Sequence, residues 1–183
     1  YRIRRDGAVE VWKEGLRRPV WIAFDSDGLL WLTEYGARRV IALDPRGSLV
    51  HAIPFQEGPT GVTVLDDGAL LVTTWEGSLF RARPGEEPEL VAGGLPLGPV
   101  IALMGPDGHY YVVTYGREHE PTGTVTRVRR DGTVDPPLVS GLDRASAAVF
   151  DPQGNLYIAA VGDPAIRVYL AEPPTPWETP SAR

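Results

Sequence analysis

No cysteine occurs among the 183 residues of this chain, which removes disulfides, thiolate nucleophiles and thiolate metal sites together. That absence leaves the compartment open. Lys13 is the only lysine, Asn155 the only asparagine, and there is a single methionine. Depletion of chemically labile residues fits a thermostable protein, and an arginine-favouring codon bias accounts for the pattern equally well. No apolar run approaches the roughly 20 residues that cross a bilayer, and no charged-then-apolar stretch of the secretory kind is present, so no membrane partner is expected. Nucleic acid is not expected either: the formal charge is −6, and phosphate binding is driven by grouped Lys and Arg. The run RIRR, Arg2 to Arg5, reads as the solvated face of a strand. Three scattered histidines give no zinc constellation. A phosphate-cradling glycine loop and a G-x-S-x-G elbow are also missing.

What the chain does have is a repeat. Turn glycines fall at Gly28, Gly68 and Gly108, 40 residues apart, and Gly154 follows 46 later. Each is followed three positions on by a large apolar residue, Trp31, Leu71, Tyr111 and Tyr157. A second series interleaves at Gly7, Gly47, Gly85 and Gly132, and Pro19, Pro59 and Pro99 keep the same spacing. A period near 40 with two turn glycines per unit marks a radially repeated β-sheet, one four-stranded blade per repeat. Pro19 to Ile53 divides into four short apolar runs, Val20–Phe24, Leu29–Thr33, Arg39–Leu43 and Ser48–Ile53. The Asp/Gly/Pro clusters between them favour turns, which gives an antiparallel meander of strands a to d.

The expected fold is therefore an all-β propeller of four-stranded antiparallel blades, about four to five of them, over residues 1–171. The units are a partial blade at 1–18, blades at 19–57, 58–97 and 98–144, and a blade lacking its outer strand at 145–171; 172–183 is a proline-rich tail. RIRRDGAV (Arg2 to Val9) matches RVRRDGTV (Arg127 to Val134), so the chain enters at a third strand. The count is then seventeen strands, which closes neither a four- nor a five-bladed ring. One expectation is that Val9–Trp12 pairs with the last blade and hides its edge, with Pro173, Pro174 and Pro176 blunting what remains. The others are part of a longer, six-bladed propeller, oligomeric if incomplete, or a shortened natural variant. The third unit carries an insertion in its b–c loop, Arg117 to Thr122, a place where function and drift both collect.

In a propeller the d–a and b–c loops gather at one face of the central channel. Aligned from the turn glycines, the ends of strand b read Glu34, Thr74, Thr114, Ala160 and then Tyr35, Trp75, Tyr115, Val161. The d–a loops add Arg17, Arg18, Glu57, Thr60, Asp143, Arg144 and Ser146. Carboxylates, arginines and aromatics together are what a polar small-molecule pocket uses. Ligand-binding candidates are Arg18, Tyr35, Glu57, Trp75, Tyr115 and Arg144; the aromatics alternatively pack between blades. Glu34, the only carboxylate of its column, is the catalytic candidate, as general base or cation ligand, with a salt bridge to Arg18, Arg38 or Arg39 as the alternative. In Glu118-His119-Glu120 the histidine stands between carboxylates, an arrangement that shuttles protons or binds metal unless the loop is simply solvated. No cofactor is evident, no metal ligands are assigned, and a divalent cation stays open.

RPVWIAFDSDGLLWLTEYGARRVIAL, Arg18 to Leu43, resembles the NHL-type and virginiamycin B (streptogramin) lyase propeller repeats, whose units run Pro-x-x-Ile, Asp-Gly-x-Leu-Trp-Phe-Thr-Glu and a Gly-Ala-Asn-x-Ile-like turn. The lyase resemblance implies catalysis by a histidine just after the proline opening strand a and a glutamate ending strand b. Glu34 holds the glutamate position; Val20, Thr60, Val100 and Ser146 stand where the histidine belongs. Glu57-Gly58-Pro59 and GNLYIAA, Gly154 to Ala160, are similar to gluconolactonase repeats, which implies a divalent-cation site of Glu, Asp and Asn. Asn155 lies at the opposite rim. The readings that result are a propeller scaffold binding a small molecule or protein at its central face, or a lactonase/esterase- or lyase-type enzyme.

Overall fold

The turns dictate the blades. In the loop Asp25-Ser26-Asp27-Gly28, the Asp25 Oδ1 accepts the N–H groups of Asp27 (3.0 Å) and Leu29 (2.9 Å), and Gly28 sits at φ 80°. Asp151 repeats the device with Gln153 and Asn155 (2.9 and 2.8 Å), and Gly154 takes φ 88°. An aspartate that satisfies the turn and a residue free to enter the left-handed region make a short hairpin loop.

The computed structural model describes residues 1–169 apart from Leu97, His119 and Pro164. A two-stranded hairpin, β1 (Arg2–Ile3) and β2 (Val9–Glu10), precedes four antiparallel sheets. Blade 1 is β3 (Pro19–Phe24), β4 (Leu30–Glu34), β5 (Arg39–Leu43) and β6 (Leu49–Pro54), with a short 3-10 turn, Tyr35–Ala37, after β4. Blade 2 is β7 (Pro59–Val64), β8 (Leu70–Thr74), β9 (Leu79–Ala82) and β10 (Glu89–Ala92). Blade 3 is β11 (Pro99–Met104), β12 (Tyr110–Thr114), β13 (Gly123–Val128) and β14 (Val134–Leu142). Blade 4 has three strands, β15 (Ala145–Phe150), β16 (Leu156–Ala160) and β17 (Arg167–Tyr169). The four sheets form a β-propeller arrangement, and seventeen strands are described, as the repeat predicts. The proline-rich tail and His119 lie outside the described residues. No helix among the described residues is long and apolar enough to cross a membrane.

Alternation along each strand sends one set of side chains to each neighbouring blade. Trp31, Val40 and Ala42 of blade 1 pack against Val62, Leu70 and Val72 of blade 2. Leu71 and Leu79 then meet Ala102, Tyr110 and Val112 of blade 3, and Ile101, Val113 and Val125 meet Ala145, Leu156 and Ile158 of blade 4. Burying each such Leu or Val side chain contributes about 1.5–3 kcal/mol relative to exposure. Trp21 of β3 packs against both the blade 1–2 cluster and the blade 3–4 cluster.

Every first strand carries a register shift near its start. In blades 1 and 2 the displaced amide is caught by a threonine: Trp21 N–H donates to Thr33 Oγ1 (2.9 Å) and Gly61 N–H to Thr73 Oγ1 (3.0 Å). Threonines also stitch blade to blade. Thr33 donates to the Thr60 carbonyl (3.1 Å), Thr60 to Pro99 (2.7 Å) and Thr63 to Ala102 (2.7 Å).

One expectation is corrected. Val9–Trp12 does not complete the last blade: among the described residues Val9–Glu10 pairs only with Arg2–Ile3, and blade 4 has three strands. The reason is the seven-residue run from Val11 to Arg17 and its packing. Trp12 and Leu16 cover Leu32, Ile41 and Leu43 of blade 1, while Trp12 Nε1 donates to the Pro45 carbonyl (3.2 Å) and Lys13 Nζ to that of Gly47 (2.8 Å).

Candidate functional site: the face at the ends of the second strands

One backbone bond recurs at this face in every blade. The residue after strand b donates its N–H to the carbonyl of the residue before strand a: Tyr35 to Arg18 (3.1 Å), Trp75 to Gly58 (3.0 Å), Tyr115 to Gly98 (2.8 Å) and Val161 to Arg144 (3.0 Å). The bond fixes both columns that the sequence alignment picked out. It also explains two of the aromatics, Tyr35 and Trp75, which lean onto the next blade. A β-carbon on Gly58 would lie 2.4 Å from the Tyr35 ring, and one on Gly98 would lie 3.5 Å from the Trp75 indole. Tyr35 and Trp75 are thus inter-blade packing groups as well as wall. Tyr35 and Tyr115 keep partial exposure and Trp75 is exposed.

Three carboxylates of this face, Glu34, Glu57 and Glu76, are held by hydrogen bonds. Glu34 is fully buried, with one oxygen accepting the Arg17 N–H (2.7 Å) and the other ion-paired to Arg39. Of its three candidate partners, Arg39 is the one the structure selects. Glu57 accepts the hydroxyls of Thr74 and Ser78, and Glu76 accepts the Gly58 N–H at 3.1 Å. Thr114 bonds Thr124 (2.9 Å), Thr60 is spent on blade stitching, and Ser146 donates to the Ala159 carbonyl at 3.4 Å.

Arg17 and Arg18 are exposed, and among the described residues neither guanidinium has a carboxylate partner. Arg18 lies over the Tyr35 ring, 4.6 Å from its centroid, a cation–π geometry. Arg144 donates to its neighbour Asp143 (2.9 Å), which, with Tyr115 and Glu118 acting on it electrostatically, holds the guanidinium firmly protonated. Both Arg18 (φ 51°) and Arg144 (φ 58°) occupy the left-handed region immediately before a first strand, the place where Gly98 stands at φ 82° in blade 3. For a side-chain-bearing residue that conformation is strained. Nothing in the sequence signals it.

Among the described residues no group of three His, Cys, Asp or Glu side chains could hold a metal ion. Arg117 and Glu120 of the inserted b–c loop pair at 3.7 Å. Sequence reasoning passed over the opposite rim, where the a–b turns of blades 1 and 2 enclose a cavity of about 460 Å³ lined by Phe24, Asp25, Asp27, Trp31, His51 and Asp66. His51 stacks on Trp31 there, ring centroids 5.9 Å apart, and Trp31 donates to Asp25 (2.8 Å). The signal was present, since residues 31 and 42 pair across strands b and c and 42 pairs with 51.

No protein-family profile matches the sequence, and no curated protein matches it. Solved structures do match in fold. A gluconolactonase-like structure superposes with a TM-score of 0.72 at 21% identity, covering 89% of this chain and 62% of its own. A streptogramin B lyase gives 0.69 at 16% identity, covering 95% and 61%. Regucalcin, a calcium-binding protein from Agrobacterium tumefaciens, gives 0.68 at 20% identity, covering 86% and 55%. The chain spans about three-fifths of the length of the structures it matches. Identities this low establish a shared propeller fold and no activity.

Proposed function

We propose that the protein is a binding propeller whose central face takes a small molecule with an anionic group and a planar or apolar body. The observation that carries the reading is the pair of left-handed arginines, Arg18 and Arg144, held at matched positions beside Tyr35 and Tyr115. Backbone strain kept at two equivalent points of one face marks a functional constraint. Glu34, Glu57 and Glu76 are tied to backbone, hydroxyl or guanidinium groups and Arg144 is paired with Asp143, which leaves Arg17 and Arg18 as exposed cations without a carboxylate partner among the described residues. The guanidiniums supply bidentate anion recognition, and Tyr35, Trp75 and Tyr115 offer ring surface beside them.

The enzyme reading, a lactonase, esterase or lyase, draws on the names of the structural neighbours and on Glu34. It requires a carboxylate that now holds the Arg17 amide and Arg39 to exchange those partners for substrate.

Thermal shift and calorimetric titration with a panel of hydroxy acids, aromatic carboxylates and lactones test the proposal. A ligand at 100 times its Kd stabilises the folded state by about 2.7 kcal/mol. Binding of an acid that Arg18→Ala and Arg144→Ala each weaken supports it, and neutral lactones binding equally well to the variants overturns it. Turnover abolished in a folded Glu34→Gln variant would establish the enzyme instead.

A further inference from the structure

Blade 1 and blade 4 each present a blade face that the described residues cover only in part, Trp12 and Leu16 lying over Leu32, Ile41 and Leu43 of blade 1 and leaving its first strand open. On β3, Ile22 and Phe24 are 61% and 69% exposed, although their counterparts forty residues on, Val62 and Val64, pack into the blade 1–2 core. On blade 4, Val149 is 59% exposed, and Tyr157 stands in the column where Trp31 and Leu71 enter the next interface. The end blades are two halves of the interface that the molecule makes three times within itself.

The hairpin β1–β2 shows which strands belong beside it. Its Arg2, Arg4 and Glu10 match Arg127, Arg129 and Asp135 of β13–β14 at a constant offset of 125 positions. The ion pairs match as well: Glu10 holds Arg2 and Arg4, and Asp135 holds Arg127 (2.7 Å) and Arg129 (2.8 Å). β1–β2 is therefore a c–d hairpin. In blade 3 the Arg127 guanidinium also reaches Asp107 in the a–b turn (3.4 Å), to which the Tyr111 hydroxyl donates at 3.0 Å. Blade 2 repeats the pair as Arg81 and Asp67. Arg2 has no such turn aspartate among the described residues. Blade 4 has the complement: Tyr157 donates to Asp151 (3.2 Å), and Val168 fills the position opposite Tyr157 where blades 2 and 3 put Arg81 and Arg127.

We propose that β1–β2 of one copy docks on β16 of a second copy, completing a composite blade in the order β15–β16–β1–β2, with Arg2 on Asp151. β17 gives up the β16 edge, where it now holds three pairings with every residue exposed. The β15–β16 pair enters the groove of about 350 Å³ that Tyr1, Trp12, Ile22, Phe24 and Leu30 line between the hairpin and blade 1, and covers Ile22 and Phe24. Charge and apolar surface are complementary on the two sides. Two copies exchanging hairpins reciprocally close a ring of eight blades, within the range propellers occupy.

Sedimentation equilibrium of the full chain should give a dimer, and Arg2→Glu should weaken it at least about tenfold. The absence of native cysteine makes cross-linking clean. Facing residues of neighbouring strands have the Cα separation a disulfide needs, about 4.4–6.8 Å, and register places Arg2 opposite Tyr157. Arg2→Cys and Tyr157→Cys chains, prepared separately, mixed and oxidised, should yield a disulfide-linked heterodimer that neither forms alone. A wild-type monomer at 100 µM overturns the proposal, with blade faces of some other polypeptide then the fitting occupant. So does an Arg2→Cys/Tyr157→Cys double variant that forms only an intrachain disulfide, because the ring would then close within one copy.

Discussion

Arg18 and Arg144 show what a residue can hold against its own backbone preference. A left-handed residue with a side chain costs about 1–2 kcal/mol relative to glycine, and blade 3 uses glycine at this point. Arg18→Gly and Arg144→Gly should therefore raise stability by about 1 kcal/mol each in chemical denaturation while losing anion binding. Unchanged stability and unchanged binding would remove both the strain argument and the site. A second residue-scale test lies in the core. Thr126 is buried, and its hydroxyl has no hydrogen-bond partner. Replacing it by the near-isosteric valine removes an unpaired polar group, so Thr126→Val should stabilise by about 1 kcal/mol. A loss instead would mean that the hydroxyl is satisfied by water.

At the scale of elements, the strand aspartate Asp135 and the turn aspartates Asp107 and Asp151 make stability pH-dependent in a definite direction. Asp135 is held below the ordinary carboxylate value of 3.8 by its hydrogen bond from Arg127 and then by Arg129. Burial works against Asp107, but the His109 amide and the Tyr111 hydroxyl outweigh it, and Asp151 is lowered by the Asn155 side chain and amide. Groups with depressed folded pKa values contribute stability that is complete above the unfolded value and disappears as pH falls through the folded one. Stability should be flat near neutrality and decline below about pH 4. Arg127→Leu should lower the neutral plateau and make the acid decline shallower, because Asp135 then keeps only Arg129 and titrates closer to its unfolded value. High salt should mimic it in part, the arginines of these pairs being partly exposed. A steeper acid decline in the variant would contradict the assignment.

The same elements show how much the sequence disclosed. Strand spans and blade order were legible because Asp and Gly at each hairpin loop act locally. Arg39–Leu43 was placed to the residue, and β4 ends one position later than expected, at Glu34. The pairing of Val9–Glu10 was not legible, since it depends on Trp12 and Leu16 finding blade 1. Within the candidate site, alignment brought Tyr35, Trp75 and Tyr115 into one column. It could not say which way Glu34 faces or that Arg18 and Arg144 are left-handed. Those facts belong to packing between blades, where no single repeat carries the information.

For the molecule as a whole, stability in stacked repeats sums over units and their interfaces, so blades with two neighbours outlast blades with one. β8 is buried throughout and β12 and β13 nearly so, whereas β1 and β17 are exposed along their length. Amide exchange measured at low concentration should consequently be slowest in β8, β12 and β13 and fastest in β1, β2 and β17, with β3 and β15 intermediate. Raising the concentration should change only part of this profile. If hairpin exchange joins two copies, Ile3 and Tyr157 gain protection together while β8 and β12 stay as they were, and the amides of β17, released from the β16 edge, exchange faster. Concentration-independent exchange at all these positions would leave the gradient intact and remove the dimer, separating the one-chain energetics of the arc from the fate of its two open faces.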